Sequence, residues 1–116
     1  MNSHKCIFCE IVQGKLSATV VHETDKVMAF KDIRPQAPVH ILIIPKEHIP
    51  TLNDINQNHK DLMGEIFLIA KHLAKELGMA EKGYRTVFNC NRDAGQDVFH
   101  IHLHLLGGRQ LYWPPG

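Results

Sequence analysis

The sequence lacks a long apolar run and an excess of charge of either sign. The longest apolar runs, residues 41–44 and 66–70, are far too short to cross a bilayer, and the N-terminus has no apolar stretch like that of a signal peptide. The formal net charge is +1, and no cluster of lysine or arginine forms the stripe that would neutralise nucleic-acid phosphates. We therefore expect neither a nucleic-acid partner nor a membrane partner, and a cytoplasmic location.

Cysteine is also scarce, with three residues in the chain. An odd number fits poorly with the disulfide framework of a small secreted protein. Two of the three form the short pattern Cys6-Ile-Phe-Cys9, which suggests metal or redox chemistry. This pair is only half of a four-ligand metal site, so two reduced thiols near the terminus are the plainer interpretation.

What is present suits one globular domain, because 44% of the residues are hydrophobic and 22% are charged. We expect a single domain over residues 1–116 and, since so short a chain buries a small core, a homodimer. Apolar residues at helical spacing, each set followed by a glycine, predict a short helix around residues 7–12 and a long one over 61–77.

Strand-prone segments account for most of the remaining chain. They lie at residues 19–22, 26–31, 39–44, 85–89 and 98–106. The first two are separated by a polar, turn-like stretch and predict a hairpin. The third is a nearly continuous apolar run and predicts a central strand, in which His40 is the polar exception. Together these elements predict an α+β domain with a largely antiparallel sheet.

The segment 98–106 alternates with a period of two, and this is the most informative feature of the sequence. On a strand, one face would carry His100, His102 and His104, and the other Phe99, Ile101, Leu103 and Leu105. A solvated strand face is the plainer alternative, but three consecutive same-face histidines opposite an unbroken apolar face are uncommon. Because imidazole can attack, transfer protons or bind metal near neutral pH, the pattern predicts a reactive centre.

The triplet of histidines resembles the H-x-H-x-H-x-x signature of the histidine triad (HIT) family of nucleotide hydrolases and transferases, in particular its Hint-like branch. Further segments match in family order along nearly the whole chain, namely 30–40, 83–85, 95–96 and the tail 107–116. The resemblance implies a five-stranded sheet with one long and one short helix. It also implies that the sheet continues across a homodimer and that the tail, residues 107–116, reaches the partner subunit.

The activity implied by the resemblance is hydrolysis of purine nucleoside 5′-phosphoramidates, of the AMP-amine or aminoacyl-AMP type, through a nucleotidyl-histidine intermediate. His102 matches the nucleophile, with His100 and His104 orienting the ring and the phosphate. His40 would complete a proton relay, although by itself it would be interpreted as a satisfied core histidine. Catalysis of this kind needs no cofactor.

The resemblance also implies a nucleotide site. Its residues are Phe8, Ile11, Phe30 and Ile33 around the base, Asp32 at the ribose, Asn89, Gly95, Asp97, Val98, His102 and His104 at the phosphate, and Trp113 from the tail. From the residues alone, the apolar members would be assigned to the core and the loop to a polar turn. Asp97 departs from the serine of similar eukaryotic members, so its role stays open between an acceptor, a proton carrier and a side chain that points away.

A structural zinc site is implied as well, because some similar bacterial members add two histidines to the cysteine pair. The implied ligands are Cys6, Cys9, His48 and His100, with His4 and Cys90 as alternative ligands. Four protein ligands leave no open position for water, so the metal would be structural.

Three other functions remain open. A dinucleoside polyphosphate hydrolase or a nucleotidyl transferase of another branch is disfavoured, since transferase-like members usually have glutamine at the position of His104. A non-catalytic nucleotide-binding regulatory module would bind AMP without hydrolysing phosphoramidates. A metal-binding module would lose zinc when His102 or His104 is replaced.

Overall fold

A computed structural model describes residues 6–116. Its elements are α1 (Ile7–Val12), β1 (Val20–Glu23), β2 (Val27–Lys31), β3 (Val39–Pro45), α2 (Lys60–Glu76), β4 (Tyr84–Val87) and β5 (Leu103–Gly107). The five strands form one sheet in the order β1-β2-β3-β5-β4, and every neighbouring pair is antiparallel. The predicted α+β class with a five-stranded sheet is confirmed. Within the described residues, no helix is long and apolar enough to span a membrane.

Side-chain hydrogen bonds close the predicted hairpin between β1 and β2. Thr24 Oγ1 accepts from the backbone N–H groups of Lys26 and Val27, as turn-forming hydroxyls do. The same hydroxyl donates to Glu65 Oε2 at 2.6 Å, which ties the turn to α2. The following strand, β3, is the middle strand of the sheet, as its apolar run predicts.

Helix α2 covers one face of the sheet. Its buried residues are Ile66, Ile69, Ala70, Leu73 and Ala74, and they pack on Val27, Ala29, Ile41, Ile43, Leu103 and Leu105. Phe67 and Leu77 are about half exposed, so the buried stripe is narrower than the run of apolar residues suggests. The helix ends as predicted, with Gly78 in the left-handed region at φ +77°.

The opposite face of the sheet carries a second, smaller core and the triad residues. Alternation along β3 places His40, Leu42 and Ile44 on this face, and the register pairs Leu42 with His104 of β5. Helix α1 covers part of it, with the buried ring of Phe8 packed edge-on to Phe30 at 5.4 Å between centroids. This division leaves α2 as a support for the sheet and opens the other face to a ligand.

The strand predicted over 98–106 begins only at Leu103, and this part of the prediction is wrong. In the observed register Ile101 would face Pro45, which has no N–H to donate. The Pro45 carbonyl accepts instead from the His100 side chain at 2.7 Å, so the ladder cannot continue. Phe99 is 49% exposed and does not belong to the buried apolar face.

Candidate active site and metal centre

His102 is held in the tautomer that a nucleophilic imidazole requires. Its Nδ1 lies 2.8 Å from the backbone oxygen of His100, and because a carbonyl can only accept, Nδ1 carries the hydrogen. In the neutral ring Nε2 then has an unshared electron pair. The ring is buried, and it packs edge-on to Phe8 at 5.1 Å between centroids. In its neutral form, His102 therefore directs its hydrogen to the backbone through Nδ1 and keeps Nε2 as the nitrogen with the unshared electron pair, in a ring that lines the cavity.

The tautomers of His40 and His104 follow from one backbone contact. The N–H of Gln36 donates to His40 Nδ1 at 3.0 Å, so the hydrogen of neutral His40 is on Nε2. That atom lies 2.9 Å from His104 Nδ1, which must accept. The hydrogen of neutral His104 is consequently on Nε2, the nitrogen that does not face His40. The pair thus provides an N–H donor beside His102, whose ring centroid is 5.0 Å from that of His104.

Burial keeps both rings of this pair neutral. It lowers the pKa of His40, although the nearby Asp32 carboxylate opposes this effect. Burial, followed by the His102 and His40 rings, lowers the pKa of His104 to about 4, despite the opposing carboxylates of Asp32 and Asp97. At neutral pH these histidines can donate and accept hydrogen bonds, but they hold no extra proton for delivery to a leaving group.

Asp32 stands beside this pair at the end of β2. Its Oδ1 accepts from the N–H of Arg34 at 2.8 Å, and its Oδ2 lies 3.3 Å from His40 Nε2. A carboxylate has about four lone-pair sites, so these two contacts leave capacity for two more donors. That capacity suits a pair of neighbouring hydroxyl groups such as those of ribose.

A cavity of about 410 Å³ brings most of the predicted nucleotide-binding residues together. Those that line it are Phe8, Ile11, Phe30, Asp32, Ile33, Asp97, Val98, His102 and His104. The wall also includes residues that sequence reasoning missed, namely Ile7, Leu16, Ser17, Ala18, Lys31, Arg34 and Leu42. Of these, Leu42 could have been found, because it lies two residues from His40 on the same strand face. A mostly apolar cavity with a few convergent polar groups is typical of a small-molecule site.

Five predicted catalytic and nucleotide-binding residues, one of them His40, do not line this cavity. Asn89, Gly95 and Trp113 do not line it. Trp113 lies in the C-terminal tail and is 81% exposed. His100 does not line it either, because its ring is turned into the cysteine cluster. What His100 contributes to the row of triad rings is its backbone oxygen, which fixes the His102 tautomer.

Gln96 is a buried residue whose importance sequence reasoning missed. Its side-chain amide donates to the carbonyls of Pro50 and Val98 at 2.8 and 3.0 Å, and its Oε1 accepts from the N–H of Asn91 at 2.8 Å. These bonds fix the loop that leads from β4 to the triad segment, including Asn91 at φ +68°. A single glutamine in a polar loop gives no periodic signal. The sequence singled out Gln96 only as part of the segment 95–96 that matches the family.

A second cluster joins the N-terminal segment to the triad. The ligand atoms of Cys6, Cys9, His48 and His100 all lie within 4.8 Å of one another. His100 Nδ1 is 3.4 Å from Cys6 Sγ and 3.6 Å from Cys9 Sγ, and His48 Nδ1 is 3.3 Å from Cys9 Sγ. In a tetrahedral zinc site, usual Zn–S and Zn–N lengths place sulfur about 3.5 Å from nitrogen. The four residues therefore fit a metal ion.

The surroundings of this cluster agree with such a role. His100 Nε2 donates to the Pro45 carbonyl, which leaves Nδ1 directed at the sulfurs, and this is the usual outer contact of a metal-binding histidine. Burial, and then the adjacent Cys6 thiol, raise the pKa of Cys9 to about 11. A divalent cation would stabilise the thiolates and displace these protons. The alternative ligand Cys90 is not in the cluster, and His4 lies outside the described residues.

Asp32, His40 and His104 also lie close enough together to be considered as metal ligands. The Gln36 N–H opposes this assignment, because it requires His40 Nδ1 to accept and so places the hydrogen on Nε2, where a metal would bind. We interpret this trio as a hydrogen-bonded group.

Comparisons with known proteins agree with this geometry. The model of the HIT domain matches residues 13–111. The purine nucleoside phosphoramidase of Escherichia coli (strain K12) is 47% identical over 109 residues, which are 94% of this chain and 92% of that protein. The crystal structure of a HIT family hydrolase from Legionella pneumophila Philadelphia 1 matches with a TM-score of 0.95 at 58% identity, over 97% of this chain and 100% of that one. The structure of a histidine triad protein from Clostridium difficile matches with a TM-score of 0.91 at 42% identity, over 97% of each chain.

Proposed function

Because the chain belongs to the HIT domain family, we propose that it hydrolyses purine nucleoside 5′-phosphoramidates to a nucleoside monophosphate and an amine. One observation carries this proposal: the Nε2 lone pair of His102 faces a cavity, while Nδ1–H is bonded to the His100 carbonyl. A reactive nitrogen of this kind suits attack on phosphorus. The 47% identity to the Escherichia coli phosphoramidase supports the same substrate class.

In the first step His102 Nε2 attacks the α-phosphorus. The Nε2–P bond forms as the P–N bond breaks, and the electron pair of that bond stays on the departing amine, which takes a proton from solvent. Because neutral His104 holds its hydrogen on Nε2, it donates a hydrogen bond to a phosphoryl oxygen and stabilises the developing charge. The product is a nucleotidyl-histidine and a released amine.

In the second step water attacks the same phosphorus. The O–P bond forms as the Nε2–P bond breaks, the electron pair returns to Nε2, and the water proton passes to solvent to replace the one that the amine took. The Nδ1–H of His102 remains on the His100 carbonyl throughout, so the ring keeps its orientation. Two easier displacements thereby replace one difficult hydrolysis.

The substrate is held by the residues that surround His102. The apolar residues Phe8, Ile11, Phe30 and Ile33 would enclose the base, and Asp32 would accept from the ribose hydroxyls. Asp97 and Val98 line the same cavity and would lie beside the phosphate, and the 3.6 Å between Asp97 Oδ1 and His102 Nε2 supports this for Asp97. Asn89, Gly95 and the tail residue Trp113 stay predictions as nucleotide contacts.

The finer features of the protein are part of the same proposal. Zinc on Cys6, Cys9, His48 and His100 would bind the N-terminal helix to the segment that carries His102, as a structural ion. A homodimer whose sheet continues between subunits, with the tail 107–116 reaching the partner, remains our expectation. A cytoplasmic location, with no nucleic-acid or membrane partner, is likewise proposed from the sequence.

Mass spectrometry during turnover of adenosine 5′-phosphoramidate tests the proposal. We expect AMP release and a transient adenylyl adduct on His102 in the unmodified protein, and neither in His102→Ala. AMP binding without release in the unmodified protein would contradict it and favour a nucleotide-binding regulatory module. Cleavage of dinucleoside polyphosphates in preference to phosphoramidates would favour the other enzymatic alternative.

A further inference from the structure

The two sulfurs of the cysteine cluster lie close enough together to react with each other. Their Sγ atoms are within 4.8 Å, and Cys6 Sγ accepts from the backbone N–H of Cys9 at 3.3 Å, so the Cys6 side chain is turned toward Cys9. The spacing of the pair, with two residues between, is also that of redox-active Cys-x-x-Cys motifs. An oxidant could therefore join the two sulfurs.

The two cysteines differ in how a small molecule can reach them. A second cavity, of about 350 Å³, is lined by Cys6, Ile7, His48, Pro50, Asp97, Val98 and Phe99. Both cysteines are partly buried, but Cys9 does not line this cavity. A molecule as small as hydrogen peroxide that enters the cavity would meet Cys6 first.

The oxidation of this pair by peroxide balances in two steps. Thiolate is the reactive form of cysteine, and a bound metal ion keeps its cysteine ligands in that form. Attack of Cys6 Sγ on a peroxide oxygen breaks the O–O bond and gives a sulfenic acid and a hydroxide. Attack of Cys9 Sγ on that sulfur forms the S–S bond, breaks the S–O bond and releases a second hydroxide. The sulfurs lose two electrons to the peroxide oxygens, and each hydroxide takes a proton from solvent.

Helix α1 connects the cysteine pair to the nucleotide cavity. Cys6 is the N-cap residue of α1, and Cys9 lies in its first turn. Phe8 stands between them, and its ring packs edge-on to those of His100 and His102, at 5.9 and 5.1 Å between centroids. The Phe8 ring also lines the nucleotide cavity. A change in the bonding of the two sulfurs therefore acts directly on the segment that holds Phe8 against His102.

We propose that Cys6 and Cys9 are an oxidation-sensitive pair, which peroxide converts to a disulfide through a sulfenic acid on Cys6. A disulfide offers no thiolate ligands, so the zinc is released and α1 is no longer held to His48 and His100 by a metal. Phe8 then packs less firmly, and the affinity for a nucleotide falls. This inference goes beyond the proposed hydrolysis, but it rests on the zinc ligands and the nucleotide cavity proposed with it.

Peroxide treatment of the zinc-loaded full chain tests the inference. We expect zinc release, measured with a colorimetric chelator, to keep pace with a Cys6–Cys9 disulfide in the peptide mass spectrum. The Kd for AMP should rise about tenfold, which is within the usual range of coupling between two sites. A dithiol reductant with added zinc should reverse both changes. Cys90→Ala is the control, because Cys90 lies outside the cluster, and it should respond like the unmodified protein.

Two single variants test which sulfur reacts first. In Cys9→Ser the sulfenic acid on Cys6 has no partner thiol, so dimedone should trap it. In Cys6→Ser the same treatment should label Cys9 several-fold less, because Cys9 does not line the second cavity. Each variant lacks one metal ligand, so loss of the metal is common to both. Equal labelling in the two variants would overturn the assignment of Cys6 as the first sulfur to react.

Zinc release with both thiols still reduced, a disulfide that includes Cys90, or an unchanged AMP affinity after disulfide formation would overturn the inference. A chain that holds no zinc would contradict the proposed metal site, and the disulfide and the AMP affinity would still test the redox effect. Turnover of adenosine 5′-phosphoramidate by the reduced chain is measured alongside. Turnover without disulfide formation would overturn this inference alone. A disulfide that lowers AMP affinity in a chain without turnover would overturn the hydrolysis alone.

Discussion

His100 and His102 are two residues apart, yet their rings serve two different regions. In the cysteine cluster, His100 donates through Nε2 to the Pro45 carbonyl and directs Nδ1 at the sulfurs. In the cavity, His102 donates through Nδ1 to the His100 carbonyl, so the unshared electron pair of the neutral ring is on Nε2. In each case a backbone oxygen decides which nitrogen remains for chemistry. The same side chain thus suits a metal in one region and phosphorus in the other.

The largest effect should come from removing the donor beside His102. We expect His104→Ala to reduce phosphoramidate turnover about a hundredfold, because one preorganised donor to the phosphoryl group is lost. His104→Gln should recover part of that loss, since an amide can also donate. Both variants should retain their metal. Steady-state kinetics and metal analysis check this, and equal losses in the two variants would contradict a donor role.

Removing a ligand from the cysteine cluster should lower the thermal stability of the protein. Cys9→Ala removes one of four ligands, and we expect it to lose bound zinc and to lower Tm by roughly 5–10 °C. A chelator should lower the Tm of the unmodified protein and leave that of Cys9→Ala unchanged. Cys90→Ala is the control, because Cys90 lies outside the cluster. Equal metal content in Cys9→Ala and the unmodified protein would exclude the proposed ligand set.

Lowering the pH should reduce the stability of the protein through His104, which belongs to the cavity region and not to the cysteine cluster. Its folded pKa of about 4 lies below the usual value of 6.5, so between these pH values the unfolded chain binds a proton that the folded chain does not. The free energy of unfolding contributed by this group therefore falls as pH decreases through that window. We expect the Tm of the unmodified protein to fall more steeply from pH 6.5 to 4 than that of His104→Gln. Parallel Tm profiles would show that His104 titrates normally.

The smallest effect should come from a contact behind His40. The Arg109 guanidinium donates twice to the Gln36 carbonyl, at 2.8 and 3.1 Å, and the Gln36 N–H donates to His40. We expect Arg109→Gln to lower kcat only about threefold, because both hydrogen bonds are exposed and act on His40 indirectly, and to leave zinc content unchanged. Arg92→Gln is the control, because that guanidinium contacts only an exposed aspartate among the contacts described. An unchanged kcat in Arg109→Gln would show that this contact does not support the position of His40.

Helical spacing predicted both helices, and β-prone runs predicted four of the five strands. The spacing of Ile66, Ala70 and Leu73 predicted α2, and the apolar run around His40 predicted the central strand. The late start of β5 could not be predicted, because it depends on Pro45 facing Ile101 across a register that only the folded chain defines.

The candidate site was predictable where residue type carries the chemistry, as for the histidines and cysteines. The turning of His100 into the cysteine cluster, which leaves only its carbonyl for His102, needed three-dimensional contacts. Gln96 and the Gln36 N–H act through bonds to backbone groups distant in sequence, and no local pattern marks such bonds.

Metal content and AMP release, measured together on two matched alanine variants, test the division between the two regions most directly. His102→Ala should retain one zinc per chain and lose phosphoramidate turnover. His48→Ala should lose the zinc and keep measurable turnover, because His48 does not line the nucleotide cavity. Loss of zinc from His102→Ala, or full turnover by that variant, would contradict the account.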